Sequence, residues 1–469
     1  MAMNASRRFF LPVLLALAFG ATAARAQVTT ATTSHAAIAP AYATARPRNV
    51  IFMIPDGCGP AAVGLGRMMA GRPLSMDSIL VGAVQTRSAS SRVTDSAAGG
   101  TALATGVKTT NTMAGLDPQG RTLGTLIEAA AARGMAVGLV TTARVTDATP
   151  AAFLSHVADR HAEDTIAVQV LEHRLDVLFG GGLMRVLPEG AGGDRRDGRD
   201  LLAEARRHGV RVVTSRAELA TPLETPLLGL FANRDLDLEV DRDSTRQPSL
   251  AELTEEALTL LARRGSGFLL VVEGALIDGA AHNNDPAALG REVVAYDRAL
   301  AAALAFARRE PGTLLVASAD HETGGLALGL RIGEESAHDM APESLFTVRA
   351  SVWSMADSVL AGADPVAVAG QGTGLRGLTA QEQAELRAAA GSRDRMLGAL
   401  GNLESRRAGV GWSTGWHTAV DVGLYAFGPG RERFIGLHEN TDVARQIAEL
   451  LGLDLDSETA RLRKAAGAR

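Results

Sequence analysis

Asp278 and His282 stand four residues apart in Glu273-Gly-Ala-Leu-Ile-Asp278-Gly-Ala-Ala-His282. On one helical turn that spacing puts both side chains on the same face. A carboxylate oxygen and an imidazole nitrogen so placed can bind one Zn²⁺. Such a pair also fits an ordinary surface hydrogen bond; what favours a metal is its place directly after an apolar run that ends in an acid. Asp320 and His321 are adjacent. They would point apart on a regular strand, yet both can reach one ion from the turn that follows it. His417, in Gly415-Trp-His-Thr418, is a further donor before another apolar run, although a histidine beside Trp416 equally suits a packed core position. Asp56 lies in Pro55-Asp-Gly-Cys-Gly59, where glycines permit a tight turn and close approach to a ligand; the bland reading is a plain Asp-Gly turn. Ser96, in Thr94-Asp-Ser-Ala-Ala-Gly-Gly-Thr-Ala102, heads a run of small residues that can open a helix. Free N–H groups and the helix dipole favour an anion there. Taken alone, that segment reads as a helix N-cap. A serine hydroxyl becomes a nucleophile at neutral pH when a metal coordinates it. Cys58 has no activating base in its neighbourhood and reads as structural.

These residues need a frame that brings them together. Val50–Ile54 runs into Asp56, Phe268–Val272 into Glu273, and Leu314–Ala317 into Asp320-His321. Short apolar runs bounded by Gly or Pro suit the central strands of a parallel sheet, and ligands bind beyond the carboxyl ends of such strands. Carboxylates gathered at one edge repel one another and need a counter-charge, which metal cations supply. Between the runs, helical patterns cover 123–133, 250–264 and 286–309, and a strand pattern covers 136–140. The alternation predicts an α/β fold, with a large central, mostly parallel sheet and helices on both faces. Two regions interrupt the pattern. Residues 184–247 are rich in Gly, Arg and Asp turns. Residues 331–410 read as a helical insertion that returns to the sheet at Val422–Phe427. The core is thus expected over 49–330 and 411–455, with a C-terminal tail at 456–469.

Of the 469 residues, 46% are hydrophobic and only 4% aromatic, so the core must be aliphatic. The formal net charge of -5, without a basic patch, argues against nucleic acid as a specific partner. Lysine occurs only at Lys108 and Lys464. Residues 1–26 have the n-region, h-region and Ala24-Arg-Ala26 ending of a secretory signal peptide. Its removal takes away Arg7, Arg8 and Arg25 and no acid, so the net charge falls from -5 to -8. A periplasmic or secreted protein is expected, with no membrane segment after cleavage and a disordered leader over 27–48. With Cys58 as its single cysteine, it can form no internal disulfide.

Five segments resemble, in order, the motifs of the bacterial alkaline phosphatase family: Thr94–Ala102, Val145–Ala152, Val272–Asp278 with His282, Ala319–Gly325, and Trp416–Thr418. The resemblance extends from about residue 49 to 450. It implies a phosphomonoesterase with two Zn²⁺ and one Mg²⁺, and a homodimer. Carried over residue by residue, Asp278, His282 and His417 would hold the first zinc. Asp56, Asp320 and His321 would hold the second, beside Ser96 as the nucleophile. Asp56, Glu273 and Thr149 would hold magnesium, with Asp147 supporting a magnesium-bound water, and Arg160 would clamp the phosphate through its planar fork. The chain departs from the family at Gly279, where a Lys, His or Trp often follows the aspartate, and after Thr418, where Ala-Val-Asp stands in place of the usual Gly. Two other readings are open: a phosphodiesterase or sulfatase-like hydrolase of the same superfamily, and a non-catalytic phosphate-binding protein. Ser96 and Arg160 favour monoesters over the first, and the full ligand set speaks against the second.

Overall fold

The computed structural model describes residues 46–173, 175–330 and 340–467. The signal peptide, most of the 27–48 leader and the start of the insertion lie outside them.

Fourteen strands occur among the described residues: β1 Asn49–Ile54, β2 Leu80–Gln85, β3 Ala136–Arg144, β4 Val177–Gly181, β5 Arg211–Val213, β6 Leu227–Leu230, β7 Phe268–Glu273, β8 Thr313–Ser318, β9 Glu322–Thr323, β10 Leu326–Leu328, β11 Val410–Trp412, β12 His417–Thr418, β13 Val422–Phe427 and β14 Gly436–Glu439. Ten form one sheet in the order β14-β2-β13-β8-β1-β7-β3-β4-β6-β5. β1 pairs in parallel with β7 and β8, and β3 with β7 and β4. The central strands β7 and β8 are buried along their whole length and β1 from Val50 onward, which accounts for their unbroken apolar runs. The expected α/β fold with a mostly parallel sheet is therefore present.

β13 is antiparallel to both β8 and β2. Its start therefore lies at the same edge as the carboxyl ends of its neighbours, and the segment just before it, with His417, faces the ends of β8 and β1.

The reading of 184–247 as an interruption is corrected. β5 and β6 lie inside it and extend the sheet beyond β4. They are short edge strands, and the turns around them hid their pattern. The insertion leaves the core after β10 and returns at β11, and these two pair antiparallel. Its helices include Val352–Leu360, Pro365–Thr373, Ala380–Ala389 and Arg393–Ala408, which bury a small core of their own around Met355, Leu386, Met396 and Leu400. The stretch expected as a C-terminal tail contains the helix Leu455–Ala466, whose Thr459 hydroxyl accepts a hydrogen bond from Gly124 N at 2.8 Å.

Candidate active site

The ends of β8, β1, β7 and β3, four adjacent strands, carry Asp320, Asp56, Glu273 and the turn to Asp147. Gly57 makes the first of these turns possible. It sits at φ 71°, and a Cβ there would stand 2.8 Å from Asp278 atoms. Its N–H donates to Asp320 Oδ1 at 3.3 Å.

Asp278, His282 and His417 form one group, with ligating atoms within 4.8 Å of one another. The helix Leu276–His282 carries the first two. His282 Nδ1 is 2.7 Å from Gly415 O, and His417 Nδ1 is 2.9 Å from Thr94 O. A carbonyl can only accept, so both Nδ1 atoms carry the hydrogen; in the neutral rings both Nε2 atoms expose a lone pair, while, against burial, the Asp278 carboxylate holds His282 above the ordinary imidazole range by favouring a second proton on its Nε2. Those Nε2 atoms face each other at 3.1 Å, with Asp278 Oδ2 at 3.2 Å from that of His282. A proton on His282 or a metal cation can relieve the crowding of two ring nitrogens and a carboxylate at one point, and the donor set suits zinc. Burial pushes the Asp278 carboxyl up, but its bond to His282 and the rings of His321 and His417 hold it below the usual carboxylate range.

Asp56, Asp320 and His321 form the second group, fully buried. His321 Nε2 is 3.3 Å from Asp320 Oδ2 and 3.5 Å from Asp56 Oδ1. The Thr323 hydroxyl donates to Asp278 Oδ1 at 2.6 Å, so its oxygen accepts from His321 Nδ1 at 3.2 Å. That again leaves the His321 Nε2 lone pair facing the carboxylates. Burial holds His321 and His417 below the ordinary imidazole range, in the neutral form that ligates. Asp56 is pushed well above the carboxylate range by burial, then by Asp320 and Asp278; Asp320 is pushed up to about 7 by burial and Asp278. Asp56 Oδ1 and Asp320 Oδ2 have no hydrogen-bond partner. Such a cost to the ionised form is what a bound cation reverses.

Glu273 and Thr149 suit a third ion of harder character. Glu273 Oε1 and Thr149 Oγ1 are both buried without a partner, and burial, partly offset by the Thr141 hydroxyl, pushes Glu273 up to about 8. Oxygen donors of this kind favour magnesium. Asp147 stands back from them, bonded to Arg144 at 3.1 Å and to Arg160 at 3.3 Å.

Ser96 is the first residue of the helix Ser96–Thr105, and Asp95 is its N-cap, accepting from Ala98 N at 3.0 Å. The cap reading of Ser96 is thereby corrected, and the hydroxyl is free of that duty. Ser96 Oγ lies 3.1 Å from His321 Nε2 and donates to its lone pair. Gly99 lets this helix close on the end of β8, since a Cβ there would come within 3.0 Å of Asp320 O. Arg160 is held between Asp147 and Asp95, the latter at 3.8 Å, with N–H groups left over for a ligand.

Sequence reasoning missed three supporting residues. Thr323 orients both groups. Glu322 accepts from Gly325 N and from the Thr418 hydroxyl, which locks β9 to β12 and so places His417. Asp95 holds the helix start, Thr112 N and Arg160 together. The first two lie inside the segment around Asp320 and Asp95 next to Ser96, but local spacing does not show what they touch. Cys58, one turn beyond Asp56, is buried, and its thiol is pushed up to about 12 by burial and Glu322.

A family model described as Alkaline phosphatase matches residues 47–453. The repressible alkaline phosphatase of Saccharomyces cerevisiae is 36% identical over an alignment covering 90% of this chain and 84% of its own length. Alkaline phosphatase 4 of Bacillus subtilis is also 36% identical, with 86% and 88% covered. The crystal structure of a cold-active alkaline phosphatase from the psychrophile Shewanella sp. superposes with a TM-score of 0.78 at 34% identity, covering 86% of this chain and 99% of that one. Sequence, fold and site geometry thus agree, and the chain is an enzyme of the alkaline phosphatase family.

Proposed function

We propose that the chain hydrolyses phosphate monoesters through a phosphoserine at Ser96, with two Zn²⁺ and one Mg²⁺ as resident cofactors. Asp278, His282 and His417 would hold one zinc, Asp56, Asp320 and His321 the other, and Asp56, Glu273 and Thr149 the magnesium. Such ions supply Lewis acidity to the attacking and leaving oxygens of an in-line displacement. The chain's own groups supply the rest. Arg160 binds two non-bridging phosphate oxygens through its fork, held at the right angle by Asp147 and Asp95. Ser96 Oγ bonds to phosphorus as the bond to the substrate alcohol breaks, its proton passing through water to the departing oxygen, and the helix N-terminus favours the charge that gathers there. Water then adds to phosphorus, and the Ser96 hydroxyl and orthophosphate are released.

The observation that carries this reading is the Ser96 hydroxyl, relieved of capping by Asp95 and 3.1 Å from His321 Nε2. Acid quenching during turnover of a chromogenic phosphomonoester should trap phosphate on Ser96, and Ser96→Ala should lose most turnover while keeping its metal. A label on another residue, normal turnover by Ser96→Ala, or faster cleavage of bis-esters than mono-esters would overturn it. Export to the periplasm or medium belongs to the same reading and rests on residues 1–26; N-terminal sequencing of the exported protein should begin at Gln27. A homodimer is expected by sedimentation. No helix among the described residues is long and apolar enough to cross a membrane.

A further inference from the structure

Two tryptophans stand at the mouth of the site, and the phosphate chemistry uses neither. Trp416 precedes the ligand candidate His417 and is 74% exposed, high for so large an apolar side chain. Its ring meets that of His282 edge to face, with centroids 5.7 Å apart and planes at 83°. Its backbone is held by the Trp416 N–H donating to the Thr414 hydroxyl at 3.1 Å and by Gly324 N donating to its carbonyl at 2.9 Å. Trp353 comes from the insertion. A Cβ built on Gly279 would stand 3.0 Å from its Cη2 and 3.4 Å from its Cζ2, so this indole occupies the space of the side chain that residue 279 lacks. Trp353 is positioned by Asp285, which caps the helix Pro286–Arg309 with one oxygen and accepts from Val352 N at 2.9 Å with the other. Residues 279 and 282 are neighbours on one helical face. The two indoles therefore approach adjacent points beside Asp278 and His282.

In an in-line displacement the leaving oxygen departs on the side opposite the nucleophile. Ser96 lies with the Asp56/Asp320/His321 group, so the leaving alcohol lies over the Asp278/His282/His417 group, where both indoles stand. We propose that Trp416, with Trp353 beside the same helix, forms a subsite for an aromatic ring carried by the leaving alcohol, so that the enzyme prefers aryl phosphates and nucleoside monophosphates over phosphates of small aliphatic alcohols. This rests on the phosphomonoesterase reading above. Stacking on an exposed indole tolerates any flat ring, because every ring has a π-face.

The test compares wild type, Trp416→Ala and Trp416→Phe at equal metal content, with phenyl phosphate, a nucleoside monophosphate and glycerol phosphate as substrates. Trp416→Ala should lower kcat/KM for the two aromatic substrates about five- to thirtyfold, within the range of base-on-aromatic stacking. Glycerol phosphate should change less than twofold, and Trp416→Phe should recover most of the loss. A fall in one aromatic arm alone narrows the ligand to that source. Independently of turnover, a non-hydrolysable benzyl phosphonate should quench tryptophan fluorescence in the wild type and lose most of that quenching in Trp416→Ala, in which Trp353 and Trp412 remain. Equal losses on all three substrates, no loss on either aromatic one, or unchanged quenching in Trp416→Ala would overturn the subsite. Absence of monoester turnover in the wild type with quenching intact would overturn the phosphatase reading instead.

Discussion

Two regions crowd carboxylates at buried or half-buried positions, and they resolve the problem differently. At the active site, Asp56, Glu273, Asp278 and Asp320 converge among the imidazoles of His282, His321 and His417. At the seam between core and insertion, Glu404 of the helix Arg393–Ala408 lies beside Asp285, both buried. There the Asp285 oxygens already accept from Ala288 N and Val352 N, and no histidine is among the groups that act on Glu404. Burial, and then the Asp285 charge, pushes Glu404 well above the carboxylate range. In the first cluster Asp56 Oδ1, Asp320 Oδ2 and Glu273 Oε1 lack a hydrogen-bond donor, the first two beside a ring nitrogen, which calls for cations. The second has one acid with spare oxygens against another already satisfied, and a proton neutralises it. Both gather carboxylates; the surrounding donors and acceptors decide which positive species is taken up.

The largest expected effect breaks this comparison outright if it fails. Exhaustive chelation should abolish activity and lower Tm, because ligands held only by the folded state stabilise it. Zn²⁺ should restore activity and Mg²⁺ add to it. The metal-free protein should also lose stability as pH rises. Asp320 and Glu273 have folded pKa values raised to about 7 and about 8, so they are protonated on folding at intermediate pH. Their penalty is absent below the ordinary carboxylate range and grows until each folded group ionises. The metal-loaded protein should lack that slope in thermal melts. Full activity after chelation, or identical slopes, would refute the cation half.

Arginine sharpens the contrast at intermediate size. Arg160 keeps N–H groups free, whereas the Arg291 guanidinium beside the seam donates to Val348 O. Arg160→Ala should raise KM and the phosphate inhibition constant about ten- to a hundredfold, the cost of a lost charge-assisted contact of roughly 1.5–3 kcal/mol. Unchanged inhibition by phosphate would remove Arg160 from the site. The smallest effect tests the proton half. Glu404→Gln keeps shape and removes the titration, so metal content and activity should hold. Stability should be little changed at pH 5 and higher than wild type at pH 9, by about 1.4 kcal/mol for each tenfold of proton affinity that Glu404 gains on folding. Denaturant melts at the two pH values decide; loss of metal or an equal change at both would show that the seam does not work through a proton.

The centre of the sheet was legible because β1, β7 and β8 are covered on both faces, so burial writes itself into sequence as unbroken apolar runs ending in acids. The edge was not: β5 and β6 span only Arg211–Val213 and Leu227–Leu230, too short for a period to show among turn residues. At the site, Asp278 with His282 and Asp320 with His321 could be paired by spacing. The meeting of His417 with them depends on β13 running against its neighbours, which no local pattern reveals. Asp95 and Ser96 are both good caps, and only the bond to Ala98 N tells which one caps. That residue 279 lacks a side chain was plain; that an indole from seventy-odd residues later fills its place is tertiary information.

The buried thiol of Cys58 gives the molecule a clock. A thiol shielded from solvent and held at about 12 presents almost no thiolate to a modifying reagent while the end of β1 is closed. With no other cysteine in the chain, every labelling event in a population reports an opening of that one segment. Because Asp56 lies two residues away, occupancy of the metal site should slow the clock, and the ratio of labelling rates with and without metal measures how firmly the ions close that strand end over itself.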